Sequence, residues 1–250
     1  MTSSDLKPRH EQNKYNKYAD DVYLAVSGGD ALTIQDELHH INEWALKNNL
    51  KLNPSKTKEM IVYRRGVKID VRNAIPVMDG IERVQTMKIL GVQFDGDMLF
   101  RGNVEKMVGG AASSLYAIKI LRSKGLKAPS LWDITSQTAV SRMTYASPAW
   151  WGYLEAKSKE RLEAIINRLK RLSCLPPDYP SFANLCETAD NKLFKDILIN
   201  NEHVLNHLLP ETKSVPYSLR SRTHNRNLPK LTNSLQQRSF INRMLFNHIY

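Results

Sequence analysis

Near residue 100 the hydrophobic pattern of this chain changes period, and that change constrains the fold more than any other feature. Before it, short β-favouring runs alternate with turn residues; after it, apolar residues recur at helical spacing. Residues 22–27 form a β-rich run that Gly28-Gly29-Asp30 breaks. Between residues 31 and 48, Ile34, Leu38, Ile41 and Ala45 share a helical face with Trp44, and Asn48-Asn49 ends the helix. Residues 50–52 and 59–63 read as short strands around the turn-forming Asn53-Pro54-Ser55. Asp79-Gly80, between the apolar pairs and runs at 77–78 and 81–84, is a two-residue hairpin signal, and residues 87–94 add a strand around Leu90-Gly91-Val92. Downstream, Val104, Met107, Val108, Ala111, Leu115 and Ile118 form one helical stripe. Further helices are predicted over 130–145, 157–172, about 192–209 and 235–246. The apolar Pro148-Ala149-Trp150-Trp151 reads as a loop, and Pro176-Pro177 with Pro180 as a break. The expected class is α+β: a small unit with an antiparallel element, then a mostly helical chain. Residues 1–16 lack periodicity and read as a flexible lead-in.

Composition narrows the partners. With 250 residues and 42% apolar content the chain can bury a sizeable core. Its first twenty residues are polar and no apolar stretch approaches the roughly 18–20 residues that span a bilayer, so neither a secretory signal nor a membrane span is expected. Two cysteines, Cys174 and Cys186, make neither a disulfide framework nor a metal-ligand set. An intracellular setting, cytoplasm or nucleus, is therefore the expectation. The net charge of +11 is uneven. Residues 1–100 hold 14 basic and 14 acidic side chains, residues 101–175 hold 13 and 5, residues 176–211 hold 2 and 6, and residues 212–250 hold 7 and none. The excess in a middle block and a tail suits a phosphate-backbone partner; a solvated lysine-rich surface is the plainer alternative.

Chemistry is concentrated at Asp20-Asp21, two adjacent aspartates between β-favouring flanks. A tight turn between strands presents such carboxylates at its tip. Magnesium prefers oxygen ligands, and nucleotidyl transfer uses two such ions about 4 Å apart to neutralise the phosphorus oxygens and activate the attacking oxygen. An ordinary solvated turn is the alternative for the pair taken alone.

The surroundings of the pair carry a resemblance. Tyr18-Ala19-Asp20-Asp21 before an apolar strand resembles the catalytic YADD box of reverse transcriptases. Leu50-Lys51-Leu52-Asn53-Pro54-Ser55-Lys56-Thr57 is similar to the LN..KT segment of the polymerases of non-LTR, LINE-type retrotransposons, and Lys88-Ile89-Leu90-Gly91-Val92 to their YLGV primer-grip hairpin. Arg142-Met143-Thr144-Tyr145-Ala146-Ser147 with Trp150 resembles a Y.s..W element that follows the thumb, and Ser239-Phe240-Ile241-Asn242-Arg243 the close of such reading frames. The resemblance implies RNA-directed DNA synthesis with Mg²⁺ and deoxynucleotides in the complete enzyme. It implies Asp20 and Asp21 as catalytic metal ligands, Lys56 near the incoming phosphates, and Leu90, Gly91 and Val92 as the primer grip. It further implies a partial palm at 17–97, a basic thumb at 98–175 and a helical extension at 176–250. Template–primer RNA or DNA would be held through 101–175 and 212–250.

The family's palm also uses a carboxylate on a strand upstream of the YADD hairpin, with a helix between them. The 19 residues before Asp20 have room for neither, and Asp5 is the one aspartate there. The chain is therefore expected to be the back part of a polymerase, inactive alone. Two alternatives are a non-catalytic nucleic-acid-binding module and a remnant reading frame without function. Other features read as structure. Asp95-Gly96-Asp97 is a turn without calcium-loop spacing, and Gly28-Gly29-Asp30 lacks the residues that follow it in nucleotide cyclases. His39-His40 are solvated or partly packed, Trp150-Trp151 pack between helices, and both cysteines are buried thiols.

Overall fold

The computed structural model describes residues 5–64, 75, 78, 80–213 and 224–247. Its elements are α+β and fall into two units, residues 1–87 and 88–250. Among the described residues no helix is long and apolar enough to cross a membrane.

In the first unit, β1 (Lys14–Tyr18) and β2 (Asp21–Ala25) pair antiparallel in a register running from Lys14↔Ala25 to Tyr18↔Asp21. A 3₁₀ turn at Gly28–Thr33 leads into α1 (Ile34–Lys47), which buries Ile41 and Ala45. Asn49, with φ +56°, ends α1 in a Schellman motif: Leu50 N–H donates to the Ala45 carbonyl (2.8 Å) and Asn49 N–H to that of Leu46 (3.1 Å). That use of the Leu50 amide removes it from any ladder, and residues 50–52 are not the strand their sequence suggests. Strand β3 (Lys58–Met60) pairs with β4 (Glu82–Val84) in parallel, not as part of an antiparallel set. The 61–81 connection is long enough for a parallel crossover, and opposite charges fix the register. Arg83 Nε donates to Glu59 (2.8 Å) and Lys58 Nζ to Glu82 (2.8 Å). Asp79, of the expected hairpin signal, lies outside the described residues; beside it Gly80 has φ +75° and Ile81 N–H donates to the Met78 carbonyl (3.2 Å).

Residues 5–13 run against α1 rather than hanging free. Leu6 and Asn13 are buried, Trp44 Nε1 donates to Asp5 (3.0 Å), and Glu37 accepts from the amides of Arg9 (3.1 Å) and His10 (2.8 Å). Periodicity could not show this, because an irregular segment held by polar contacts has no hydrophobic repeat.

The chain enters the second unit along β5 (Thr86–Ile89) and β6 (Val92–Asp95), paired through the two-residue turn Leu90-Gly91. Helix α2 (Arg101–Ser123) buries the expected stripe of Val104, Met107, Ala111, Leu115 and Ile118. Its start uses the aspartates of the 95–97 turn: Asp95 accepts from Arg101 N–H (2.6 Å) and Asp97 pairs with the Arg101 guanidinium (2.9 Å). Helix α3 (Ala128–Thr135) continues through a π-helical turn, Ser136–Val140, into α4 (Ser141–Thr144). The apolar 148–151 segment is not a loop. It forms α5 (Ser147–Trp150), with Pro148 in its first turn where a missing N–H costs nothing, and a 3₁₀ turn, Trp151–Tyr153. Helix α6 (Ala156–Arg171) is tied to α2 by a bidentate Arg161–Glu105 pair (2.6 and 2.9 Å).

Helix α7 (Phe182–Ile199) starts ten residues earlier than its hydrophobic pattern suggests. Ser181 caps it, accepting from Asn184 N–H (3.1 Å), and Phe182 N–H donates to Glu163 (2.7 Å). The C-terminal helical pattern splits into α8 (Ser234–Arg238) and α9 (Phe240–Asn247), because Ser239 between them is extended. The main core joins Phe100, Met143, Trp150, Leu162, Ile166 and Phe182, and a smaller one joins Phe194 to Met244 and Leu245. Both tryptophans face Phe182 inside the core, so neither is available to stack on bases. Cys174 and Cys186 are buried free thiols, and burial pushes Cys186 up to about 12.

Candidate active site

Ala19 and Asp20 form the two-residue turn between β1 and β2, and Ala19 takes φ +53° to close it. Asp20 is therefore at the tip and Asp21 is the first residue of β2. Both are exposed. Asp21 accepts from the Tyr23 hydroxyl (3.1 Å), while Asp20 has no hydrogen-bond or ion-pair partner among the described residues. The hairpin is anchored on its β1 side. The Tyr15 hydroxyl donates to Glu37, which also accepts from Asn13 Nδ2 (3.0 Å), so one buried carboxylate of α1 holds both β1 and the segment leading into it. Burial opposes the charge on Glu37, but the donors from Tyr15, Asn13, His10 and Arg9 outweigh it and hold the carboxyl at about 2.

Lys56 stands on a different turn of the same unit. Asn53 organises that turn: its side chain accepts from Ser55 N–H (3.1 Å) and Ser55 Oγ (2.6 Å), and its carbonyl from Lys56 N–H (3.1 Å) and Thr57 Oγ1 (3.0 Å). The Lys56 side chain is exposed and without a partner among the described residues.

Leu90 and Gly91 make the second tight hairpin turn, with φ +45° and +90°. Both central residues are left-handed, as a type I′ turn requires, and Leu90 is an unusual occupant. Val92, next in line, is buried in the helical core. The Leu90 carbonyl accepts from the Tyr145 hydroxyl (3.0 Å), and the Gly91 carbonyl from Lys106 Nζ (3.3 Å). Trp150 Nε1 in turn donates to the Tyr145 carbonyl (2.9 Å). The Tyr145–Trp150 element and the Leu90-Gly91-Val92 segment are thus in contact, a link across 55 residues that no spacing rule reveals.

Residues 2–94 match the reverse transcriptase (RNA-dependent DNA polymerase) family model. No curated protein and no solved structure matches the chain. The reverse-transcriptase match contains the Asp20-Asp21 turn, Lys56 and the Leu90–Val92 turn, and it ends within β6.

The donor set bears on the metals that reverse transcriptases use. Exposed carboxylate oxygens at Asp20 and Asp21 suit one hard divalent ion. Two ions need further acidic ligands, and among the described residues no three His, Cys, Asp or Glu side chains stand together. Asp5, the upstream aspartate, is tied to α1 instead: it accepts from the Trp44 indole, and that hydrogen bond lowers its pKa. Within the described part of residues 2–94, the side chains do not fit a two-metal centre.

Cations of the second unit divide into used and free. Arg101, Lys106, Arg122 and Arg161 bond within the protein, and Lys159 lies over the Trp151 ring (4.4 Å). Lys119 and Lys124 near the end of α2, and Arg168, Lys170 and Arg171 near the end of α6, have no hydrogen-bond or ion-pair partner among the described residues. Arg122 Nη1 donates to the Leu172 carbonyl (2.5 Å), which joins those two helix ends into one basic corner. In the tail, Arg226, Arg238 and Arg243 are all committed, to Pro210 O (3.1 Å), Tyr153 O (3.4 Å) and Asp190 (2.5 Å).

Proposed function

We propose that this chain carries the carboxylate hairpin and nucleic-acid-holding part of an RNA-directed DNA polymerase of the non-LTR, LINE type. In that reading residues 17–97 are a partial palm, 98–175 a thumb and 176–250 a helical extension. Asp20 and Asp21 are its metal-facing carboxylates, Lys56 a point charge for phosphate, and Leu90–Val92 the grip on a primer end. The observation that carries the reading is the tight Asp20-Asp21 hairpin inside residues 2–94, the stretch matched by the reverse transcriptase family. The donor set then limits it. With two carboxylates and no third beside them, the described residues do not by themselves hold two ions in line for phosphoryl transfer.

What remains for the chain is to hold template–primer, mainly by phosphate contacts from the basic corner of α2 and α6. Binding of an RNA–DNA hybrid to the purified chain, titrated from low to high salt, tests this. The expected result is an affinity that falls linearly on a log–log plot. Binding that is absent, or that ignores salt, contradicts it.

A further inference from the structure

Tyr145 does not have the placement of a core residue. It is 56% exposed, and the hairpin's packing position is taken by Val92. Yet it is held firmly. Fully buried Trp150 donates to its carbonyl, and its own hydroxyl donates to the Leu90 carbonyl (3.0 Å). Its ring closes over Gly91, where a Cβ would sit 3.3 Å from Cε1 at a φ of +90° that only glycine adopts readily. Lys106 takes the neighbouring Gly91 carbonyl (3.3 Å). The turn so gripped is a strained one, since Leu90 is left-handed and 43% exposed. Both tip carbonyls are occupied by donors from the helical unit, which leaves the Leu90 side chain and the Tyr145 ring as the outward surface.

From this geometry we infer that Tyr145 is a positioning residue: with Trp150 behind it, it fixes the Leu90-Gly91 turn in the one shape that meets a recessed nucleic-acid end. The inference rests on the proposed reading of that turn as a primer-end contact. It gives the Tyr145–Trp150 element a task, and it makes the hairpin tip depend on α2 and the segment after α4 rather than on its own two residues.

The test uses the full chain and two variants. Tyr145→Phe keeps the ring and deletes only the hydroxyl; Gly91→Ala disturbs the same turn with Tyr145 intact. The probes are an RNA–DNA hybrid with a recessed DNA 3′ end and a blunt hybrid of equal length. For Tyr145→Phe the thermal midpoint stays put, and amide exchange over residues 86–95 accelerates by up to about tenfold, the worth of one hydrogen bond. The wild-type preference for the recessed end shrinks toward none in both variants. Unchanged exchange in Tyr145→Phe overturns the brace itself. Faster exchange with an intact end preference, or a wild-type chain that binds both hybrids equally, overturns the positioning role. A wild-type chain that binds neither hybrid removes the underlying reading, and the exchange result still decides the brace.

Discussion

Glu37 is a fully buried carboxylate whose charge is kept by four donors, two of them backbone amides of an irregular segment and one the Tyr15 hydroxyl at the base of the Asp20 hairpin. Its folded pKa of about 2 lies below the ordinary 4.5. The ionised form is therefore the one folding stabilises. That contribution is complete above the unfolded value and is lost as pH falls from about 4.5 toward about 2. Glu37→Gln is expected to cost about 1–3 kcal/mol at neutral pH and to flatten the acid limb of the stability curve. Denaturant unfolding from pH 7 to 2 measures both, and an unchanged acid limb in the variant contradicts the assignment. The turns that carry Asp20, Asp21 and Lys56 were legible in sequence because their signals are local: adjacent aspartates between β-favouring flanks, and an Asn-Pro-Ser turn. Glu37 was not. Its partners at 9, 10, 13 and 15 are related to it by the fold alone, and on α1 it sits beside exposed acids that look the same in the sequence.

Among the elements, α5 and the 3₁₀ turn after it matter because the C-terminal helices close on them. A Cβ on Gly152 would come within 2.4 Å of both the Arg238 carbonyl and Arg243 Nε, and Arg243 is the partner of buried Asp190. Gly152→Ala is thus expected to overpack this contact and destabilise the second unit by about 1–3 kcal/mol, with faster amide exchange in residues 234–247. Equal stability and unchanged exchange in that segment would show that the close approach is not required. The same elements show what a sequence can and cannot yield. The α2 stripe was readable because every buried position obeys one period. Helix α5 and the start of α7 were not, since these helix starts are decided by a first-turn proline, a serine cap and the Glu163 acceptor rather than by periodicity. The Asp79-Gly80 signal pointed to a hairpin of 81–84 with 77–78, and nothing in the sequence paired 58–60 with 82–84; that parallel register is marked by cross-strand charge pairs that only the folded chain displays.

For the whole molecule, charge placement gives the first expectation. Five cations of the 101–175 block without a hydrogen-bond or ion-pair partner among the described residues stand near the α2 and α6 ends, whereas the described arginines of the tail are spent on packing. Replacing Arg168, Lys170 and Arg171 together by glutamine should weaken hybrid binding uniformly across sequences. The salt slope should fall by about 1 for each phosphate the variant no longer neutralises. An unchanged slope would move the nucleic-acid surface elsewhere. The Asp20-Asp21 hairpin, proposed above as a polymerase carboxylate turn, stands without a third acidic ligand among the described residues. Primer extension by the purified chain on an RNA template, with Mg²⁺ or Mn²⁺ and all four deoxynucleotides, tests it most directly. No templated incorporation above that of Asp20→Ala is predicted; clear incorporation that Asp20→Ala abolishes would show that this chain holds a working two-metal site.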